Sequence, residues 1–470
     1  EIAKARLILE ERNSFFHPLL LLGASRMMVR LCGIDSTPQA IVETGRVVSA
    51  AYAALAVAVF AHTAFILRGW LASVVASLFI GLSWALIVNA HYMKEDTALL
   101  LGIALCFWAI AATQGLRVEK RALFLGCVCG LATSGKYIGV ITVLMSFIVL
   151  WKDIQHGNRE VRRRLIKVFI LGFGLVFLAI NAPLFFSFRS FASGLANEIK
   201  HVAFAGHDSV RLDMFNLDNI KALLRQVIFP IQILLVGYYW TFFKRHNYST
   251  PEGIIAFFPF LYFLLLSLAF VHQPRYLLPV SVTFYFCAAL YVSDFLSITS
   301  MPRWLRGSAI CIVVGGIVGM QSSKAADVLG QFRNDSRYVI TEWMKANLPA
   351  YSTVAVENFA GILDPQMRDL SKIPGKAINF RSVYMIGEQN SIERLRSEGV
   401  THVIANELMY RRFFNPNLIP REGVKLEFER AKKLYEDVFA ETPLWQMTND
   451  SPLDAFTNPT LALYDIREIR

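Results

Sequence analysis

Long apolar stretches separated by short polar breaks dominate the first two thirds of the chain, and the pattern changes near residue 323. Apolar runs fall at roughly 46–67, 71–90, 97–114, 122–134, 137–151, 166–187, 225–243, 253–270, 276–297 and 307–321. Most approach the ~20 residues that a helix needs to cross a hydrocarbon core about 30 Å thick. The runs 122–134 and 137–151 are short and meet at TSGKYIG, as tilted or partly embedded helices would. Residues 18–33, PLLLLGASRMMVRLCG, carry Arg26 and Arg30 four apart on one helical face. An Arg at mid-bilayer costs about 2.5–3.5 kcal/mol on insertion scales, so this segment reads as a helix lying in the interface.

Past residue 323 the apolar runs give way to alternating helix and strand signals. YVITEWMKANLP predicts a helix that stops before Pro349, and STVAVE a buried strand. SIERLRSEGV predicts a helix with Ser391 as N-cap, THVIAN a strand and LALYDI a closing strand. The expected fold is a polytopic α-helical membrane protein with about ten spans in residues 1–322. An extracytoplasmic α/β soluble domain follows in residues 323–470. The chain begins at Glu1 without a Met, so residues upstream of it are expected, and the resemblance given below implies a further span among them.

Composition sharpens this picture in two ways. Charged residues make up 18% of the chain, below the roughly 25% of a typical soluble protein, and 55% are hydrophobic. The net charge of +11 reflects where Lys and Arg are placed. Alternate connections hold Arg68; Arg117, Lys120 and Arg121; Lys152, Arg159, Arg162, Arg163, Arg164 and Lys167; Lys244 and Arg245; Arg303 and Arg306. That asymmetry places those connections in the cytoplasm and explains the basic balance without a nucleic-acid partner. By alternation, residues 1–45, the 91–96 turn, the SGKY turn, the 188–224 loop, HQPRY and the C-terminal domain face the outside. All six cysteines precede residue 312, so no disulfide framework holds the soluble domain. Cys127 and Cys129 are two apart and point different ways on a helix, which makes them packing residues.

Polar residues cluster at the outer breaks. NAHYMKED holds His91, Lys94, Glu95 and Asp96; TSGKYIG holds Lys136 and Tyr137; VHQPRY holds His272, Arg275 and Tyr276. The long loop holds Glu198, His201, His207 and Asp208, and His17 precedes the interfacial helix. Each cluster alone fits a helix end, where Lys snorkels and acidic residues favour the first turn. Together they fit one polar site above a membrane cavity. Neither HExxH nor a Walker loop occurs, so no metal site and no nucleotide are assigned; a divalent metal is allowed but not indicated.

The order of these pieces resembles the GT-C superfamily of integral membrane glycosyltransferases. It is most similar to the family 39-type branch of protein O-mannosyltransferases and aminoarabinose transferases. The resemblance rests on FFHPLLL, Arg46 in TGRVVSA, Lys94 and Asp96 before an apolar run, Gly130, Lys136, Tyr137 and Gly139 in GLATSGKYIG, and RYLLP at 275–279. It covers most of the membrane part, and the soluble domain is similar to outer domains of bacterial members. In that branch an Asp-Glu pair lies about twenty residues before the His-Pro motif, where this chain starts; Glu1 stands as its second member.

The resemblance implies transfer of a sugar from a polyprenyl-phosphate-linked donor to an acceptor (protein, lipid or glycan) on the extracytoplasmic face. Asp96 and Glu1 are then the catalytic carboxylates, and Lys136, Arg275 and Lys94 hold the donor phosphate. His17, His91, Glu95, Tyr137, His207 and Tyr276 contact substrate. The alternative is a secondary transporter or flippase of an anionic lipid-linked substrate, but such carriers commonly show internal repeats, and none is visible here.

Overall fold

The computed structural model describes residues 2–35, 37–200, 210–211, 217–245, 248–268, 273–295, 302–358, 360, 378–389, 391–416, 418–420, 422–449 and 458–467. The backbone divides into two compact units, Glu1–Phe204 with Met214–Ala326, and Ala205–Asp213 with Asp327–Arg470.

The first unit is helical. It opens with α1 (Ile2–Leu9), α2 (Leu20–Leu31), α3 (Pro38–Arg68), α4 (Trp70–Gly81) and α5 (Trp84–Ala90). It continues through α6 (Asp96–Ala112), α7 (Val118–Gly135), α8 (Ile141–His156), α9 (Arg159–Ile180) and α10 (Phe188–Lys200). After these come α11 (Leu217–Gln226), α12 (Phe229–Arg245), α13 (Pro251–Ser267), α14 (Leu278–Phe295) and α15 (Arg303–Arg333). The starts follow from local chemistry. Thr37 caps α3 by accepting from the Ala40 N–H at 3.2 Å, with Pro38 in the first turn, and Asn158 caps α9 by accepting from Val161 at 2.9 Å.

Among the described residues, Pro38–Arg68, Pro274–Asp294 and Trp304–Asn347 are long and apolar enough to cross a membrane. The count rises to five if each of two bent pairs is one span. Trp70–Gly81 and Trp84–Ala90 meet at 61°, and Asn219–Gln226 and Phe229–Arg245 at 100°. The apolar helices Asp96–Ala112, Tyr137–Trp151 and Pro251–Ser267 are shorter. Every expected run of the first two thirds contains a helix, but the run 71–90 is broken at Leu82–Ser83. The segment expected to lie in the interface forms α2. Its Arg26 donates to Asn13 and to the carbonyls of Leu7 and Arg12, and Arg30 pairs with Glu11 at 2.6 Å, so the two arginines clamp the turn after α1.

Phe60, Phe107, Phe258 and Phe286, all fully buried, pack ring against ring and join α3, α6, α13 and α14. Cys129 is buried and hydrogen-bonded with Ser146 at 3.1 Å, in keeping with a packing role. At one end of this bundle Arg68 pairs with Glu252 and, at 3.0 Å, with Asp294, which also takes Arg245 at 2.9 Å.

The second unit holds α16 (Ser336–Asn347), α17 (Ile392–Ser397), α18 (Glu407–Phe414) and α19 (Lys425–Phe439). A two-stranded pairing joins β1 (Val210–Arg211) to β5 (Ile419–Pro420). The main sheet contains β2 (Thr353–Glu357), β3 (Asn379–Val383), β4 (His402–Asn406), β6 (Trp445–Met447) and β7 (Leu461–Asp465), in the order β3-β2-β4-β7-β6. The first three run parallel, while β7 is antiparallel to both β4 and β6. Alternation sorts the two faces. Val354, Val356, Ile404, Leu461 and Leu463 pack with Ile340 and Met344 of α16. Ala355, Val403, Ala405 and Ala462 face Leu395, Met409 and Tyr435 of the other helices. The expected helices and strands of this region are present, including Ser391 as the cap of α17.

At the end of β2 the Glu357 carboxylate is buried. It accepts from the Ile386 and Asn406 N–H groups at 2.8 and 2.7 Å and from the Tyr435 hydroxyl. Burial outweighs those donors and raises its pKa to about 7.

Candidate active site

Two carboxylates and three cations meet where α6 begins. Asp96 is the first residue of α6 and Glu95 precedes it, at the helix end whose free N–H groups favour negative charge. Both side chains are buried. The neighbouring helix α7 ends at Gly135, after which Lys136 is extended. A Cβ on Gly135 would lie 2.7 Å from the Leu99 nitrogen, so glycine is what lets the end of α7 lie against the first turn of α6.

That approach delivers Lys136. Its ammonium is 2.8 Å from Asp96 Oδ1, and Arg275 Nε is 4.0 Å from the other oxygen, Oδ2. Arg275 and Tyr276 sit in a single 3-10 turn, Pro274–Leu277, pinned by Gln226 Nε2, which donates to the Pro274 carbonyl at 2.6 Å. The Tyr276 ring lies beneath Lys136 Nζ at 4.1 Å and beside the Arg275 guanidinium at 5.1 Å. The third cation is Lys4 of α1, which pairs with Glu95 Oε1 at 2.5 Å and donates to the Met93 carbonyl at 3.0 Å.

The FFHPLLL segment closes another side. Asn181 accepts from the Leu19 N–H at 2.9 Å and donates to Ser134 at 3.1 Å, tying this segment to the end of α7. Tyr137 donates to the Phe15 carbonyl at 2.9 Å. His17 faces Glu95, Lys136, Lys4 and Asp96, and burial lowers its pKa, which favours a neutral imidazole. Its Nδ1 has no hydrogen-bond partner among the described residues. Burial alone would raise the Glu95 carboxyl, yet its ion pair with Lys4 holds it well below the usual carboxylate range.

Above this segment lies α10. Phe191 meets the Phe15 ring edge-on at 5.6 Å, and a Cβ on Gly194 would stand 2.6 Å from the Phe15 carbonyl oxygen. Phe191, Gly194 and Glu198 recur at three- and four-residue spacing and so share one helical face. Glu198 lies within electrostatic range of Lys136, Glu95 and Tyr137, and burial raises its pKa.

Seven expected site residues, His17, Glu95, Asp96, Lys136, Tyr137, Arg275 and Tyr276, are thus brought together. Of the other expected residues of the 91–96 turn, His91 Nδ1 lies 2.8 Å from the Ile87 carbonyl of the preceding helix, and Lys94 Nζ lies 5.2 Å from the Tyr92 ring centroid. Glu1, His201, His207, Asp208 and His272 lie outside the described residues. Among the described residues no three His, Cys, Asp or Glu side chains gather as a metal site.

No family model and no curated protein matches the sequence. Solved structures do. ArnT from Cupriavidus metallidurans bound to undecaprenyl phosphate superposes with a TM-score of 0.53 at 12% identity, over 98% of this chain and 92% of that one. Its apo state gives 0.50 at 12% identity, over 98% and 91%. The chain has the GT-C fold. The oligosaccharyltransferase of Archaeoglobus fulgidus in complex with Zn and sulfate, also a GT-C glycosyltransferase, gives 0.52 at 10% identity, covering 93% of this chain and 66% of that one. The fold resemblance carried by the order of short motifs therefore holds for the three-dimensional structure.

Two participants escaped sequence reasoning. Lys4 sits in IAKARLIL, eight residues too few to show a decisive period, and its partner Glu95 is far off in sequence. Glu198 was visible only as one acid among loop histidines. The amphipathic pattern of FRSFASGLANEIK marks a helix there, but not what its polar residue faces.

Proposed function

We propose that this chain is an integral membrane glycosyltransferase that moves a sugar from a polyprenyl-phosphate donor to an acceptor on the extracytoplasmic face. The observation that carries the reading is the convergence of Lys136 and Arg275 on the buried Asp96 at the head of an apolar helix. An isoprenoid tail partitions into the bilayer and holds its phosphate at headgroup depth. Two cations fixed at that depth suit such an anion, and the undecaprenyl phosphate carried by the ArnT structure supports the assignment. The shorter apolar helices complete the bundle as further spans, and the distribution of Arg and Lys favours an outer site and an extracytoplasmic residue 323–470 domain.

The chemistry follows. A nucleophilic oxygen or nitrogen of the acceptor bonds to the anomeric carbon, the carbon–oxygen bond to phosphate breaks, and the leaving phosphate takes the electron pair. Lys136 and Arg275 stabilise the charge that develops on that phosphate. Asp96 has one oxygen on each cation, so we assign it to fixing them rather than to accepting a proton. Glu95 is likewise engaged by Lys4.

The test is binding and transfer by the full chain in lipid nanodiscs. Undecaprenyl phosphate binds wild type, Lys136→Met binds it at least tenfold more weakly, and transfer from an undecaprenyl-phosphate-linked sugar is lost in that variant. Equal binding by both proteins would overturn the assignment.

A further inference from the structure

We propose that the end of the bundle remote from the site binds an anionic phospholipid of the opposite leaflet. Its phosphate rests on the basic starts of α7 and α9, and its acyl chains lie along the apolar face of α9. The proposal goes beyond the transferase reading and uses none of its residues.

Glycines fix the frame. A Cβ on Gly126 would meet the Phe169 carbonyl, one on Gly130 the Phe173 carbonyl, and one on Gly172 the Leu123 carbonyl. From the first contact to the second both helices advance by four residues, so α7 and α9 run parallel, backbone against backbone, and begin at the same end. α7 extends from Val118 to Gly135, and at 1.5 Å per residue its start lies about 25 Å from the turn that carries Lys136. A hydrocarbon core is about 30 Å thick, so the site and this end stand at the two headgroup layers.

Charge gathers at that end. Residues 117–121 and 159–167 hold eight Arg and Lys against Glu119 and Glu160, and Asp153 of α8 adds a third acid. Neutralisation is weak: Arg121 and Asp153 are 3.8 Å apart, as are Arg164 and Glu119, which is beyond hydrogen-bond distance. Arg121 Nε is buried without a hydrogen-bond partner among the described residues. Arg162 Nε donates to the Ile154 carbonyl at 3.2 Å and ties the start of α9 to α8.

Beneath the charges the same surface turns apolar. Arg164, Lys167, Leu171, Leu175 and Leu178 recur at three- and four-residue spacing along one exposed face of α9, and Lys120 and Phe124 do so on α7. Seven residues separate Arg164 from Leu171, a rise of about 10 Å that clears a headgroup layer of about 5–8 Å. Trp151 of α8 is exposed as well, and indole rings settle at that boundary. Basic clusters at the ends of membrane helices attract anionic headgroups, by about fivefold in affinity for each Lys or Arg at the surface. A free phosphate would use the charges and leave the apolar face idle. A diacyl lipid uses both.

The experiment titrates the full chain in detergent with phosphatidylglycerol or phosphatidylcholine and reads Kd values by native mass spectrometry. It compares wild type, the triple variant Arg163→Gln, Arg164→Gln, Lys167→Gln, and the conservative double variant Arg163→Lys, Arg164→Lys. Wild type binds phosphatidylglycerol about tenfold or more tightly than phosphatidylcholine. The triple variant loses about tenfold or more of its affinity for phosphatidylglycerol and none for phosphatidylcholine, and the double variant behaves as wild type. Excess inorganic phosphate leaves phosphatidylglycerol bound to wild type. Equal wild-type affinity for the two lipids, a triple variant that keeps the preference, or displacement of the lipid by inorganic phosphate would each overturn the proposal and leave the transferase reading untouched.

Discussion

The Asp96–Lys136 pair gives the sharpest energetic prediction. Its side chains are 5% and 14% exposed and 2.8 Å apart, so neither charge can turn to water if the other is removed. Opposite charges about 4 Å apart attract by roughly 4 kcal/mol at an effective dielectric constant near 20. Breaking a buried pair from one side costs about 3–5 kcal/mol, mostly from the stranded charge. Lys136→Met should fall near the lower end, at about 3 kcal/mol, because Arg275 remains 4.0 Å from Asp96. Asp96→Asn strands Lys136 and Arg275 instead, a defect that an added phosphate can repair. The two variants are therefore expected to lose thermal stability alike in detergent, while undecaprenyl phosphate raises the Tm of Asp96→Asn more than that of wild type and barely moves Lys136→Met. The double variant should be less destabilised than the sum of the singles by about 1–3 kcal/mol, as expected for residues in contact. Additive losses, or an Asp96→Asn protein that phosphate stabilises no more than wild type, would refute a coupled phosphate-holding pair.

Other expectations follow from the same geometry. Gly194→Val puts atoms where the Phe15 carbonyl stands, so α10 must lift from the FFHPLLL segment and turnover should fall at least several-fold, with undecaprenyl phosphate binding retained. Arg68→Ala breaks the network with Glu252 and Asp294 on α13 and α14; Tm should fall by the equivalent of about 1–3 kcal/mol, between exposed and buried pairs, with the Kd for undecaprenyl phosphate unchanged. Glu357 has a folded pKa of about 7, above its unfolded value, so the fold binds the extra proton. Its contribution is full below about pH 4.5 and lost as pH rises through about 7, on the order of 3 kcal/mol in all. Protection of β2 and β4 from hydrogen exchange, corrected for the intrinsic pH dependence of the exchange rate, should fall across that interval in wild type and stay flat in Glu357→Gln.

The periodic parts of this architecture were legible without coordinates. Uninterrupted apolar runs can hardly be anything but buried or lipid-facing helices, and the alternation in STVAVE and THVIAN sorts cleanly onto the two faces of the sheet. Short-range chemistry was legible too, as in the Ser391 cap. Breaks were harder: Gly81 and Ser83 are a weak signal inside the apolar run 71–90, yet the helix bends by 61° there. At the site, Asp96, Lys136 and Arg275 could be named because charged residues beside long apolar runs are costly and therefore conspicuous. Their mutual geometry depended on Gly135, whose role as a contact surface has no periodic signature. Lys4, about ninety positions from the acidic turn, pairs with Glu95, a contact that no sequence spacing marks.

The most direct measurement is a structure of the full chain determined with undecaprenyl phosphate in a lipid nanodisc. The expected result is phosphate oxygens within hydrogen-bond reach of Lys136 and Arg275, with the isoprenoid tail running from the site into the bilayer. Density for the phosphate at the opposite, Arg162–Arg164 end of the bundle, with Lys136 and Arg275 still closed on Asp96, would contradict the assignment.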